Sequence, residues 1–161
     1  MDATNGTGPG ARRSPRIGKG WRDEPIEEWR ARQPTAKALY AAVRQNHVGA
    51  LRALIEAGAD PDQLIGEYDD WTPLTLAAVY GHLAVVDLLL DAGVHPDSQN
   101  RFGLLPSVLA ASGDTGPHPE VVDLLLRRGA NPDAEMKGTP ARHWLDPVRT
   151  EHDRALDQED D

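Results

Sequence analysis

A nine-residue segment recurs three times along this chain and constrains its fold more than any other feature. The segment joins a pair of large aliphatic residues to a glycine and a Pro-Asp ending, and it occupies residues 54–62, 89–97 and 125–133. Its glycines lie 35 and 36 residues apart, and a second marker, Thr72-Pro73-Leu74, is echoed at 105–107 and 139–141. Two markers with nearly the same period predict a repeat protein, in which each unit buries its apolar face against its neighbours.

The sequence of each repeat predicts a pair of helices. In the clearest unit, Thr72 can cap a helix whose first position is Pro73, where the missing N–H costs nothing. Gly81 then ends this short helix, and a second helix begins near Leu83 and stops at Gly93, where a left-handed residue is needed. The pattern therefore predicts an all-α fold with no sheet beyond the hairpins that connect the repeats.

Residues 72–93 resemble the ankyrin repeat family. They follow its order of a Thr-Pro-Leu opening, a Gly-His turn, a Val-Val-x-Leu-Leu-Leu helix and a glycine ending. The resemblance covers residue 35 to about 146 and implies an all-α solenoid of stacked helix pairs, with three full repeats and a degenerate C-terminal unit. Two departures stand out: Thr75 replaces the opening histidine of the family, and repeat one opens at Lys37 without Thr-Pro, as a capping repeat would.

Composition changes along the chain and sets the expected boundaries. The Gly-, Pro- and Arg-rich residues 1–34 predict a disordered or partly helical tail, because such a segment buries too little apolar surface to offset its ordering entropy. The repeats are expected at about 37–68, 69–101 and 102–135, with a partial unit at 136–146. The last segment, 147–161, is predicted to be a capping helix followed by an acidic tail.

Charge and apolar patterning exclude several classes of protein. The net charge of -9 argues against binding a nucleic-acid backbone, which requires clustered Lys and Arg. No apolar stretch is long enough to span a bilayer, and the first residues lack the apolar core of a signal peptide. These features, together with the absence of Cys, predict a soluble, cytoplasmic protein that is a monomer when free. Only 3 Lys against 14 Arg suggests a GC-rich coding sequence and hence a bacterial source.

Candidate chemistry is sparse. His47, His82 and His118 occupy the same place in successive repeats, before each second helix, which favours a structural turn over a metal site. His143 and His152 are nine residues apart without a ligand-spaced carboxylate set. With no Cys, no nucleophile on a tight Gly-x-Ser-x-Gly turn and no phosphate-binding loop, we expect neither catalysis nor a bound cofactor or metal.

The resemblance implies a recognition surface instead. In ankyrin-like stacks the hairpins between repeats, here called fingers, and the outward positions of the inner helices line a concave face that binds a partner protein. Aromatic and Arg side chains at such positions suit binding hot spots. The corresponding positions in this chain are Arg44, Gln45, Tyr68, Asp69, Trp71, Val79, Tyr80, Arg101, Phe102 and Leu104. Trp71 has an alternative role, in which it packs beneath its own finger.

Three functional hypotheses follow from these observations. The first is a non-catalytic protein–protein interaction module that binds a partner protein of unknown identity. The second is an immunity or inhibitor protein that neutralises a cognate toxin or enzyme by occluding its active site. The third and weakest is a metal-dependent enzyme, for which the histidines are the sole support.

Overall fold

The computed structural model describes residues 26–68 and 70–159, which form seven helices and one short two-stranded hairpin. The elements in chain order are α1 (Ile26–Arg44), α2 (Val48–Glu56), α3 (Pro73–Tyr80), α4 (Leu83–Asp91), α5 (Pro106–Ser112), α6 (Pro119–Arg127), β1 (Glu135–Met136), β2 (Thr139–Pro140) and α7 (Arg142–Glu159). The expectations for residues 1–25, and for the last two residues of the acidic tail, lie outside the described residues. None of the described helices is long and apolar enough to cross a membrane.

The helices pair and stack as the period predicts. Helices α1, α3, α5 and α7 pack successively in an inner layer, while α2, α4 and α6 form an outer layer, with α7 also contacting α6. Helices α1 and α2, α3 and α4, and α5 and α6 are the pairs within each repeat. Ala77 and Ala110 are fully buried within the inner layer, because small side chains let neighbouring helices approach closely. The prediction of an all-α solenoid is confirmed.

Helix α3 begins through local chemistry that involves its opening residues. The Thr72 hydroxyl accepts from the Thr75 backbone N–H at 3.1 Å, and the Thr75 hydroxyl accepts in return from the Thr72 N–H at 3.0 Å. This reciprocal arrangement satisfies two N–H groups that a helix otherwise leaves without partners. Thr75 therefore replaces the family histidine with a capping role, and Gly81 ends the helix in a left-handed conformation at φ 70°.

Three fingers connect the repeats on one edge of the inner layer. In the first, Ile65 and Trp71 exchange backbone hydrogen bonds of 2.7 and 3.1 Å. In the second, Asn100 holds the turn by accepting from the backbone of Phe102 and Leu104, both at 3.0 Å. The third is the β1–β2 hairpin, and strand structure among the described residues is confined to these fingers.

The two ends of the stack differ from the expected boundaries. Helix α1 runs from Ile26 through Pro34, so the expected boundary at residue 34 lies inside a helix. Helix α7 begins at Arg142 and passes through Pro147, whereas the sequence predicted a separate capping helix from 147. Both prolines are exposed. Each removes one N–H from its helix without breaking it, although proline usually marks a helix boundary.

Candidate functional site

Two neighbouring fingers present aromatic side chains to solvent. Tyr68, at the tip of the first finger, is 65% exposed, and Phe102, at the tip of the second, is 60% exposed. Both belong to the exposed large hydrophobic residues of the described part of the chain. Exposed aromatic rings cost solvation free energy in the free protein, so their placement on adjacent tips favours a binding surface.

Arg101 joins the two fingers. Its Nη1 donates to the Tyr68 carbonyl at 2.9 Å and to an Asp70 carboxylate oxygen at 3.3 Å. Its guanidinium carbon also lies 5.9 Å from the centre of the Phe102 ring, a cation–π distance. We call Tyr68, Asp70, Arg101 and Phe102 the fingertip surface. These contacts hold its parts in one arrangement before any partner binds.

Trp71 and Leu104 support the fingers more than they extend the fingertip surface. Trp71 is half-buried against the core, and a Cβ added to Gly66 would lie 3.4 Å from its Cδ1. Gly66 has a φ of +98°, so the turn of the first finger needs glycine, while the indole would be in ordinary contact with an added Cβ. Leu104 is likewise packed against the core. The alternative role for Trp71, beneath its own finger, is the one that its contacts favour.

The structure differs from the expected binding surface at Val79. This residue is buried, whereas the sequence placed it on the outward side of α3. The loop of the third repeat covers it, because a Cβ on Gly113 would lie 2.6 Å from Val79 Cγ2. The neighbouring Tyr80 is half-buried and stacks on His82 with ring centres 5.7 Å apart.

Arg44 and Gln45 lie apart from the fingertip surface, at the opposite end of the inner helices. Both are exposed, and the Arg44 carbonyl accepts from His82 Nε2 at 3.2 Å. Gln45 lines a groove at the end of the stack. Asp69 lies outside the described residues. Of the nine predicted positions that the structure describes, three belong to the fingertip surface and two support it. Val79 is buried, and Arg44, Gln45 and Tyr80 lie toward the other end of the inner helices.

The repeated histidines have the structural role that their register predicts. His82 Nε2 lies 3.2 Å from the Arg44 carbonyl, and His118 Nε2 lies 3.2 Å from the Val79 carbonyl. Each ring thus ties an outer helix to the inner helix of the preceding repeat. Residues 26–68 and 70–159 contain no group of three or more His, Asp or Glu side chains placed to hold a metal ion.

Asp97 is a buried acidic residue that the sequence patterns above do not predict to be functional or structural. Asp97 Oδ2 accepts from the backbone N–H of Asn131 at 2.9 Å, joining the loops of two repeats. Burial raises the pKa of Asp97, while the Asn131 hydrogen bond and the nearby His95 lower it less. The signal was present in the Pro-Asp ending of each repeated segment, because a recurring carboxylate at one place in a stack indicates a contact between repeats.

Comparison with known proteins agrees with this geometry. A family profile for ankyrin repeats in three copies matches residues 27–100, and a profile for a single ankyrin repeat matches residues 104–137. Together these matches cover more than half of the chain. The chain belongs to the ankyrin repeat family. Ankyrin repeats are generally protein-interaction modules, which agrees with exposed aromatic side chains on the fingers of this stack.

The similar relatives are much longer proteins. The chain is 38% identical over 66 residues to a mouse protein named fem-1 homolog A-like, covering 37% of this chain and 10% of that protein. It is 37% identical over 63 residues to human fem-1 homolog A, covering 39% and 9%. It is 33% identical over 73 residues to the mouse 2-5A-dependent ribonuclease, covering 45% and 10%. The chain thus spans about a tenth of these relatives, and its bacterial source stays a prediction.

Proposed function

We propose that this ankyrin repeat protein is a non-catalytic module that binds a partner protein through its fingertip surface. The observation that carries the proposal is the pair of exposed aromatic rings, Tyr68 and Phe102, on adjacent fingers that Arg101 joins through the Tyr68 carbonyl and the Phe102 ring. Aromatic and Arg side chains dominate binding hot spots, because they bury a large area and lose little conformational freedom.

The arrangement also lowers the cost of association. Arg101 is already held by the Tyr68 carbonyl and the Asp70 carboxylate, so less side-chain freedom remains to be lost on binding. Tyr80 and Arg44 end their inner helices on the side away from the fingers and would lie outside this interface. Trp71 and Leu104 would keep the fingers in place. The proposed partner therefore contacts the finger side of the stack, and the outer helices remain solvent-exposed in the complex.

We also propose that the free chain is a cytoplasmic monomer. The absence of Cys supports the cytoplasmic location, and the net charge of -9 disfavours self-association.

Comparative affinity capture tests the proposal and identifies the partner. The full chain and the variant Tyr68→Ala/Phe102→Ala are used as baits in parallel, with Leu83→Ser as the matched control. Leu83 is also an exposed apolar residue, 43% accessible, but it lies at the start of the outer helix α4. We expect the partner to be retained by the full chain and the control and lost by the fingertip variant. Retention by all three baits would exclude the fingertip surface.

The same complex separates an interaction module from an inhibitor. If the captured protein is an enzyme, its activity is measured with and without a saturating amount of this chain. Loss of activity on binding would support the narrower proposal of an immunity or inhibitor protein. Unchanged activity would leave a module that binds without occluding an active site.

A further inference from the structure

The end of the stack formed by α1 and α2 carries an apolar groove of about 460 Å³. Three alanines of α1 line it, Ala38, Ala41 and Ala42, together with Ala50 and Ala53 of α2. The terminal repeats of a solenoid normally present a polar outer face to solvent. A groove lined by five alanines is therefore not a finished end of the stack.

The repeat register shows which kind of element fits this groove. His82, 35 residues after the groove residue His47, lies 3.2 Å from the Arg44 carbonyl of the preceding repeat. The side that carries His47 thus corresponds to the side through which the second repeat packs on α1 and α2. Val85, the equivalent of Ala50, is fully buried in the second repeat. Elsewhere in this stack the same face receives α-helices, so a helix is the element that fits the groove.

Charge distinguishes this end of the stack from the rest. Residues 29–55 contain five Lys and Arg and no Asp or Glu, in a chain whose net charge is -9. The following residues, 56–100, contain no Lys or Arg. Helices α1 and α2 therefore form a positively charged pair in an otherwise acidic stack, and such a surface attracts a negatively charged partner.

Three of these cations form a row along α1, beside the groove. Arg30, Lys37 and Arg44 are spaced seven residues apart, about two helical turns, so they project from one side of the helix over about 21 Å. All three are exposed, and none forms an ion pair with another described residue. Ala41 lies four residues after Lys37 and three before Arg44, which places the groove next to the row.

We propose that an acidic, amphipathic helix of a partner protein packs in this groove. Its small apolar side chains contact the alanines, and its Asp or Glu side chains, also spaced by seven residues, face Arg30, Lys37 and Arg44. His47 adds a polar contact at one end. Its Nδ1 accepts from the Ala50 N–H at 3.0 Å, so a neutral ring carries its proton on Nε2, where it can donate to the partner.

Two other occupants fit the charge of the groove less well. Residues 1–25 of the same chain contain five Lys and Arg against three Asp and Glu, so they would bring further positive charge to the row. A second copy could offer its acidic helix α7, but α7 is already packed on α5 and α6. Two chains that each carry a charge of -9 also repel one another.

Titration of the isotope-labelled full chain with a synthetic helical peptide tests the proposal. The peptide carries Ala and Leu at helical spacing on one side and Glu at the flanking positions, and a control peptide has Lys in place of every Glu. We expect the Glu peptide to shift the amide signals of Ala41 and Ala53 and to bind about tenfold more tightly than the Lys peptide. No binding of the Glu peptide, or equal binding of both, would overturn the proposal.

Charge reversals locate the contact. Lys37→Glu/Arg44→Glu should weaken binding of the Glu peptide about tenfold. Arg52→Glu/Arg154→Glu makes the same change in net charge at two exposed sites outside the row and should have little effect. The fingertip variant described above should bind the peptide like the unsubstituted chain, which separates this groove from the fingertip surface. Equal weakening by both reversals, or loss of binding in the fingertip variant, means that the peptide does not occupy the groove and overturns the proposal.

Two measurements on the free chain exclude the other occupants. Sedimentation should show a monomer, whereas a dimer that disappears in Lys37→Glu/Arg44→Glu would mean that a second copy fills the groove. Because the chain has no Cys, Ala53→Cys places a nitroxide at one site in the groove. The amide signals of residues 1–25 should keep their intensity with this label. Their loss would assign the groove to those residues, and either of these contrary results overturns the proposal.

Discussion

Asp97 combines a structural hydrogen bond with an electrostatic cost. One carboxylate oxygen accepts from the Asn131 N–H, while Oδ1 has no hydrogen-bond partner in the described part of the chain. Burial raises the pKa of this carboxyl above its ordinary value of 3.8. The folded state therefore binds the proton more tightly than the unfolded state. Stability from this group is lost as pH rises through the window between 3.8 and the higher folded value.

We predict that Asp97→Asn raises the free energy of unfolding at pH 7. The amide oxygen can still accept from the Asn131 N–H, but the buried charge is removed. The gain should shrink as pH falls toward 3.8, where the native carboxyl is already protonated. Urea titrations at several pH values measure it. Asp133→Asn, at the exposed equivalent position in the next repeat, serves as the control and should change little. A gain that is independent of pH would contradict this account.

Substitutions of Trp71 and Tyr68 should differ in their effect on the free energy of unfolding. Trp71→Ala removes an indole that contacts the first finger and the core, so we expect a loss of about 2–3 kcal/mol, below the ~3–5 kcal/mol of a fully buried aromatic. Tyr68→Ala should change stability by no more than about 0.5 kcal/mol, as for other exposed sites. Thermal and urea unfolding of both variants provide the comparison. Equal losses would mean that Tyr68 is also part of the folded core.

At the scale of elements, contacts between repeats depend on glycine at particular places. Gly113 follows α5 and lies between its own helix and the preceding repeat. A Cβ there would be 2.5 Å from the Leu109 carbonyl oxygen and 2.6 Å from Val79 Cγ2. Both distances are below any ordinary contact, and one of the neighbours is backbone. A larger residue must therefore displace the end of α5 and the Val79 side chain of the preceding repeat.

We predict that Gly113→Ala lowers the free energy of unfolding by about 1–3 kcal/mol, as overpacking typically does. Gly49→Ala is the matched control. It lies in α2, where the nearest atom to an added Cβ is His47 Cε1 at 3.9 Å. Alanine there should stabilise the protein by up to about 1 kcal/mol. Chemical denaturation of the two variants gives the opposite signs directly. If both substitutions stabilise the protein, Gly113 does not have the close contacts with Leu109 and Val79 described above.

The helices that carry repeat signals were predictable, and those at the ends were not. Thr72, Pro73 and Gly81 mark the limits of α3 because caps and left-handed turns depend on local chemistry. Helices α1 and α7 continue through Pro34 and Pro147, where local preference predicts a boundary. The burial of Val79 depends on the loop of the third repeat that begins at Gly113. Such contacts join residues that are distant in sequence, so periodicity alone does not show them.

For the whole molecule, stability is distributed along the stack because each repeat contacts only its neighbours. Helix α7 is tied to α6 at its middle, where Arg149 Nε and His152 Nε2 lie 3.6 and 3.7 Å from the Asp123 carboxylate. These pairs are partly exposed and contribute little. The last turns of α7 have exposed side chains and no such contacts among the described residues.

Hydrogen exchange should therefore follow position in the stack. We predict that amides of α3, α4, α5 and α6 exchange slowest, since each of these helices packs between the helices of two neighbouring units. Amides in the last two turns of α7 and in α1 before Pro34 should exchange fastest. Exchange measured by NMR or mass spectrometry resolves these segments. Uniform protection across the whole stack would mean that the repeats open as one unit.

The affinity of the captured partner tests the central claim most directly. We predict that Tyr68→Ala/Phe102→Ala weakens binding by about thirtyfold or more, since hot-spot truncations commonly cost ~2 kcal/mol. The urea midpoint of the same variant should remain that of the unsubstituted chain, because both rings are exposed. Unchanged affinity with an unchanged midpoint would contradict the account and would place the binding surface away from the fingers.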